Sequence, residues 1–477
     1  MSLESTHRAI WPAAAAPPST ERRARVNKWL ALVAAAVCSA GFLFGYDQGV
    51  IGGALSGIER TFRATTALIE IITSWVTLGA LLGALLAGAL ADRLGRRTTI
   101  LVGAVVFIAG VAVETWAPQS WVLVASRLAL GAGVGIASVA APLYASEVAP
   151  TRWRGRLVST YQLAITVGIF LAFLVDQWLA TSGNWRLMLG LSAVPGFLLI
   201  FAMLPLPDSP VWYLKDRKPE AAQEAFHKIR PDESAADNLS AVESHLGSRT
   251  DSWSEVFARR WRKPLVIGVG LAVLQQLTGI NAIIYYADKI FAAAGFRTPA
   301  DQTAATTWSI GAVNILFTFI AVLYIDRLGR RPLLLAGLMG MGASLVVVGA
   351  CSRSLSHVRI DSTSHVNHPT DAGVVTLVAL VVYIATFAFS LGPVVWTVIN
   401  EIYPSRVRGR GVAVATAANW FTTWLVSQIF LTLVETIGEP ATFWLFAAVC
   451  VVAFVFVWKL VPETKGKSLA EIEKAWR

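Results

Sequence analysis

Twelve mostly apolar stretches, each about 20 residues or longer, leave this chain few folds to choose from. They run over 29–58, 67–91, 98–116, 120–144, 156–180, 185–206, 264–292, 306–325, 332–351, 373–399, 411–434 and 441–461. Hydrocarbon offers no water to a backbone N–H or C=O, so a spanning segment must be a helix or part of a closed barrel. Barrel strands alternate apolar and polar residues and give much weaker apolar runs. The expectation is an all-α membrane protein with twelve transmembrane helices. Composition agrees: the chain is 55% hydrophobic and 15% charged, with mean hydropathy +0.59, whereas soluble domains carry about 25% charged residues.

The net charge of +10 is explained by placement rather than by a nucleic-acid partner. With both termini in the cytoplasm, 32 Lys and Arg fall on the inner side and six on the outer side, leaving Arg127 and Lys289 deeper in their spans. That is the positive-inside asymmetry of a multi-pass protein in a plasma or bacterial inner membrane. A nucleic-acid partner would need a basic face on a soluble domain instead. Residues 1–28 have no apolar h-region and read as a cytoplasmic tail, not a cleaved signal. Cys38, Cys351 and Cys450 are scattered, and His357, His365 and His368 share a loop at spacings that match no metal motif. No disulfide framework, metal or cofactor is expected.

The chain repeats itself. DRLGRR at 92–97 recurs at 326–331, EVAPTRWRGR at 147–156 is answered by EIYPSRVRGR at 401–410, and Pro207-Asp208-Ser209 by Pro462-Glu463-Thr464. The offset grows from 234 to 254 and 255, and the polar stretch 351–371 is an insertion of about that difference. The organisation is therefore a cytoplasmic tail (1–28), a six-helix half (29–206), a cytoplasmic linker with short amphipathic helices (207–263), a second six-helix half (264–461) and a C-terminal tail (462–477). Two similar bundles that rock about a site at their interface are what an alternating-access transporter requires.

These motifs carry a resemblance. DRLGRR and its second copy, Arg127 in SRLALGAGVG, PDSPVWYL at 207–214, QQLTGINAIIYY at 275–286, GPVVW at 392–396 and PETKG at 462–466 are similar to those of the sugar porter family of the major facilitator superfamily. The match runs from about 29 to 470; the 1–28 tail and the 351–371 loop are not covered. The resemblance implies the major facilitator fold. It also implies a cytoplasmic gate of ion pairs drawn from Asp92, Arg93, Arg96, Arg97, Glu147 and Arg154, repeated as Asp326, Arg327, Arg330, Arg331, Glu401 and Arg408. The alternative is solvated positive-inside charge, since exposed pairs are worth about 0–1 kcal/mol. GAGVG at 131–135 follows no strand and lies in a span; like Gly79-x3-Gly83, it reads as close helix packing through small residues.

Polar residues inside the spans point to the substrate. Gln162, Gln275, Gln276, Asn281, Asn314 and Asn419 each offer both donors and acceptors, as a sugar hydroxyl requires. On an ideal helix Gln276 and Asn281 lie about 140° apart, so a break at Thr278-Gly279 is needed for them to converge with Tyr285. Gly392-Pro393 offers a similar break before Trp396. Trp396 and Trp420 suit the apolar face of a pyranose. The family's sugar-contacting pattern places Phe44, Gln162, Ile169, Gln275, Gln276, Asn281, Tyr285, Asn314, Gly392, Trp396, Asn419 and Trp420 around the sugar. Ile169 and Asn419 resemble hexose porters more than pentose-selective relatives.

Asp47 is a carboxylate in an apolar run of about thirty residues, roughly 16 Å from its outer end. Arg127 lies roughly 10 Å inside the outer end of the fourth span, at a similar depth. A lone charge there costs at least about 2.5–3.5 kcal/mol, which pairing or protonation relieves. In the family an aspartate at this position accompanies proton symport. A fixed ion pair that never titrates is the alternative.

The resulting expectation is a proton-driven importer of a monosaccharide, a hexose such as glucose, that works by alternating access as a monomer in the lipid bilayer. Asp47 carries the proton and Arg127 modulates it. A uniporter with the same site is the nearest alternative. A sensor is disfavoured by the 16 residues after the last span, and an enzyme by the lack of a catalytic constellation in 207–263. Orientation is testable with single cysteines at Ser234 and Ser362 in a chain lacking its three native cysteines. Ser362→Cys should react with an impermeant thiol reagent on intact cells while Ser234→Cys stays silent; the reverse pattern inverts the topology.

Overall fold

The computed structural model describes residues 27–231, 253–358, 371–403, 407–466 and 471. Most of the 1–28 tail, the linker segment around Ser234, and the loop carrying Ser362, His365 and His368 lie outside the described residues. All twelve apolar stretches are helices long and apolar enough to cross a membrane. They are α1 (Lys28–Phe62), α2 (Thr66–Leu94), α3 (Arg96–Thr115), α4 (Ser120–Val148), α5 (Thr160–Leu179), α6 (Trp185–Met203), α7 (Arg259–Tyr285), α8 (Pro299–Ile325), α9 (Arg330–Ser354), α10 (Asp371–Ile402), α11 (Arg408–Ile437) and α12 (Glu439–Leu460). Helices begin outside the apolar runs because polar residues cap them. The Asn27 side chain accepts from Leu30 N, and Thr298, followed by Pro299, accepts from Asp301 N. That cap starts α8 at residue 299, ahead of the expected 306.

Helices touch where glycine removes the side chain between them. Gly41, Gly45 and Gly49, four residues apart on α1, lie against the α5 backbone. A Cβ on Gly45 would stand 1.9 Å from the Ile165 carbonyl oxygen. α2 and α4 interlock reciprocally: Gly79 and Gly83 face the carbonyls of Leu128 and Ala132, while Gly131 and Gly135 face those of Val76 and Ala80, each at 2.1 Å. This is small-residue packing of the membrane type. The halves, α1–α6 and α7–α12, then meet through α2 with α11, α5 with α8, and α1 with the end of α7.

Several spans are interrupted. In α7 one helix ends at Leu277 and another starts at Ile280, with Gly279 between them at φ +91°. The Thr278 carbonyl freed by that break accepts the Tyr383 hydroxyl at 3.0 Å. α10 also breaks, but at Ser390 (φ −125°, ψ −88°) rather than at the expected Gly392-Pro393. Pro393 falls in the first turn of the new helix, where a missing N–H costs nothing. In α8, Thr306–Ala312 forms a wide π turn immediately before Asn314. Sequence gave no sign of it.

Both described ends of the chain lie at one face, called here the terminal face. There Asn27 bonds to the carbonyls of Lys228 and Ile229 in the linker. Two short linker helices, Pro210–Lys215 and Pro219–Ile229, also lie there, and Arg230 donates to the Glu147, Val148 and Ala149 carbonyls at the end of α4. Lys289, expected deep in its span, instead pairs with Glu59 at the opposite, far face at 3.0 Å.

Gly45→Val should lower the melting temperature of the purified protein, because overpacking costs about 1–3 kcal/mol and the obstacle here is backbone. Gly88 has nothing within 4 Å of its would-be Cβ. Gly88→Ala should therefore melt at or above the wild type, having removed roughly 0.5–1 kcal/mol of helix-interior glycine cost.

Candidate functional site

The expected charge pair forms. Arg127 Nη1 donates to Asp47 Oδ1 at 2.9 Å, and Arg127 Nε donates to the Ile72 carbonyl at 3.2 Å. Asp47 is 2% and Arg127 0% exposed. A charge-assisted bond so deep holds because each charge relieves the other; removing one partner typically costs about 3–5 kcal/mol. The depth estimates from the two helix ends anticipated this meeting. They did not anticipate Glu114, in the last turn of α3, whose Oε2 lies 3.7 Å from the same Nη1.

Gln48, the residue after Asp47, turns toward the second half. Its Nε2 donates to Asn281 Oδ1 and to the Tyr285 hydroxyl, both at 3.3 Å. Asn281 Nδ2 donates onward to Gln276 Oε1 at 2.6 Å, and Gln276 Nε2 donates to Asn419 Oδ1 and Gln275 Oε1 at 3.3 Å. Asn419 Nδ2 donates to Gln275 Oε1 and to the Ala272 carbonyl at 3.0 Å. Gln275 Nε2 ends the chain on the Leu391 carbonyl at 2.7 Å, beside the α10 break. The break in α7 thus brings Gln276 and Asn281 together across their helical offset. The other expected residues are less closely tied to this chain. Asn314 is buried and accepts from Thr318 at 3.5 Å, Ile169 and Gly392 are buried, and Gln162 and Trp396 are half-buried. Phe44 of the first half and Trp420 of the second meet at 5.2 Å between ring centres.

The charged motifs at the terminal face build two copies of one arrangement. Arg96 Nε donates to Glu147 Oε2 at 2.9 Å, and Arg96 Nη1 to Asp92 at 3.3 Å; in the second half Arg330 Nη2 donates to Glu401 at 3.0 Å. Each pair ties helices within one half. Asp208 accepts the backbone N–H of Arg96 and Arg97 at 2.8 and 3.1 Å, and Glu463 accepts those of Arg330 and Arg331 at 3.1 and 3.0 Å. A carboxylate on a helix N-terminus is favourable. Glycine is required beside each, since Gly95 and Gly329 have φ of +91° and +90°, and a Cβ would meet the carboxylate at 2.1 and 2.9 Å. Burial lifts the Asp208 carboxyl above its usual range despite its backbone donors. At Glu463 burial pulls the same way, but the N–H groups of Lys465, Arg330, Arg331 and Thr464 prevail and hold it below. Arg97 donates to the Met203 and Leu204 carbonyls, Arg331 to that of Trp458, and Arg408 to that of Tyr403. Arg93 is exposed, Arg327 lies over the Tyr324 ring, and the side chains of Arg154 and Asp326 lie outside those described.

Hydrogen bonds between the halves gather toward the far face. Thr432 of α11 donates its N–H and hydroxyl to Glu70 of α2, each at 2.7 Å, and Ser74 donates to Gln428 at 2.7 Å. Thr307 of α8 donates to the Phe173 carbonyl of α5 at 3.0 Å. Gln48, Glu70 and Glu114 were missed in the sequence. The signal was available: each is polar or acidic within an apolar stretch, the feature that singled out Asp47.

Comparison with known proteins follows the same lines. The family described as "Sugar (and other) transporter" matches residues 33–476. The galactose-proton symporter of Escherichia coli (strain K12) is 38% identical over 461 residues, covering 96% of this chain and 97% of that protein. The arabinose-proton symporter of the same strain is 38% identical over 462 residues, covering 96% and 95%. The partially occluded inward open conformation of the xylose transporter XylE from E. coli aligns with a TM-score of 0.78 at 28% identity, covering 93% of this chain and 100% of that one.

Proposed function

This chain belongs to the sugar porter family of the major facilitator superfamily, and we propose from that premise that it imports a monosaccharide together with a proton. The sugar is a hexose such as galactose or glucose, the terminal face is cytoplasmic, and the protein works as a monomer by alternating access. One observation carries the reading. A buried charge pair on the first half, Asp47–Arg127, is joined through Gln48 to a hydrogen-bonded row of amides on the second half.

The amides suit a polyol. Gln276, Asn281, Gln275 and Asn419 now bond largely to one another, so an entering sugar exchanges hydroxyl contacts for amide contacts with little desolvation penalty. Trp396 and the Phe44–Trp420 pair supply apolar walls, with Gln162, Asn314, Ile169, Tyr285 and Gly392 completing the site. Sugar bound to Asn281 and Tyr285 competes for the groups that Gln48 now holds, which links occupancy of the second half to the position of α1. Asp47 takes the proton when Arg127 withdraws. The Arg96–Glu147 and Arg330–Glu401 clusters keep each half rigid at the cytoplasmic face while the halves rock.

Two measurements test this. Gln276→Ala removes a partner in a desolvated site, at about 1–3 kcal/mol, or roughly 5- to 150-fold in affinity by calorimetry. Unchanged affinity would remove Gln276 from the site. Asp47→Asn keeps the shape but cannot titrate. It should retain sugar counterflow in proteoliposomes and lose uphill uptake under an imposed inward proton gradient, a drive of about 2.3 kcal/mol per charge per 100 mV. Wild-type accumulation by Asp47→Asn would make Asp47 a structural charge.

A further inference from the structure

Glu114 has no part in the coupling scheme above, yet it sits against it. It is 0% exposed, and neither of its oxygens has a hydrogen-bond partner among the described residues. Arg127 Nη2, on the guanidinium it faces, is also without a partner there. We propose that Glu114 is a second proton-binding carboxylate of the coupling site: Asp47 and Glu114 share the one guanidinium of Arg127, and the carboxylate not paired with it carries the proton. The inference rests on the proton-coupled reading and adds a group to it.

The argument is first a count of charge. Two carboxylates and one guanidinium, all sealed from water, carry a net negative charge if every group is ionised. A buried unbalanced charge costs several kcal/mol, and a single proton removes it. The geometry then says which carboxylate holds that proton in this conformation. Asp47 takes the 2.9 Å charge-assisted bond, whereas Glu114 at 3.7 Å is beyond hydrogen-bond reach. Glu114 also lies in the last turn of α3, whose end is the negative pole of the helix dipole, a poor place for an anion.

Of the other charged and titratable groups on the surrounding helices, buried Asp176 of α5 accepts the Gly53 N–H at 3.3 Å and leaves Oδ1 without a partner among the described residues, whereas the four that follow are engaged. Tyr285 of α7 bonds to Gln48, Glu70 of α2 bonds to Thr432, Arg186 of α6 donates to the Ala117 carbonyl, and the Tyr46 hydroxyl of α1 donates to the Met188 carbonyl. Position supplies the direction. Glu114 is one residue from the far-face end of α3, which is followed by exposed Trp116, while Asp47 sits near the middle of α1. When Arg127 moves from Asp47 to Glu114, the Glu114 O–H bond breaks and an Asp47 O–H bond forms. One carboxylate is exchanged for the other and no further reactant is needed. Glu114 thus receives the proton from the far side and releases it inward to Asp47.

Infrared spectroscopy of the purified protein at neutral pH reads the proton directly. The wild type should show a carboxylic-acid C=O band that shifts in deuterium oxide, moves when glutamate alone is isotopically labelled, and is lost in Glu114→Gln. If Glu114→Gln does not fold, Glu114→Asp serves: the band should lose its sensitivity to labelled glutamate. Asp47→Asn should lose the band too, because Arg127 then neutralises Glu114. In proteoliposomes supplied with labelled D-galactose and an inward proton gradient, Glu114→Gln should shift the pH of half-maximal uptake by about one unit, as expected on removing one member of a coupled pair. Absence of any acid band that moves with glutamate labelling, or a Glu114→Gln uptake profile superimposed on that of the wild type, overturns the proposal; a separate band from buried Asp176 would move with aspartate labelling instead. Absence of any uphill uptake by the wild type would instead count against the proton-coupled reading beneath it.

Discussion

Hydrocarbon supplies no hydrogen-bond partner, and everything distinctive in this structure answers to that. A plain helix satisfies its own backbone; each departure from one must find a partner inside the protein. The α7 break at Gly279 frees the Thr278 carbonyl, and Tyr383 takes it. Where α10 restarts after Ser390, Gln275 donates to the carbonyl of Leu391 in the first turn of the new helix. Amides that would be costly alone form a row in which each donor has an acceptor. The same demand pairs Arg127 with Asp47. An unsatisfied group in such a place therefore means something, and this is why the bare oxygens of Glu114 stand out.

Duplication gave the two halves the same scaffold and let their interiors diverge. At the terminal face the copies still match residue for residue: Arg96 with Glu147 and Asp208, Arg330 with Glu401 and Glu463. In the membrane they no longer match. The first half holds the Asp47–Arg127–Glu114 charges on α1, α3 and α4 and a break in α6 at Leu191–Ser192, while the second holds the row from Gln275 to Asn419 and the breaks at Gly279 and Ser390. Gln48 joins the side of the charge pair to the amide row, and the glycine stripe on α1 lets that helix pack flush on α5.

How much of this was legible depended on the range of the interaction. Hydropathy, the charge asymmetry and the repeat act along the chain, so all twelve helices, the two halves and the packing role of Gly79, Gly83 and the GAGVG run could be read directly. The break at Gly279 was legible because two amides five residues apart need it to converge. Pro393 misled by two residues, since proline marks the first turn of a helix as readily as a kink. The π turn at 306–312 left no trace along the chain; it lies where Gly311 meets Phe170 and Phe173 of the other half. Asp47 and Arg127 were conspicuous as charges in apolar runs, and their depths could be estimated from helix rise. That Glu114 shares the same guanidinium, and that Gln48 faces the amides, depended on how α1, α3, α4 and α7 are rotated about their axes. Sequence alone determined the fold class and the residue types available for coupling and binding. The tertiary structure decided which of them meet, because azimuth and register in a bundle come from side-chain contacts between helices distant in sequence.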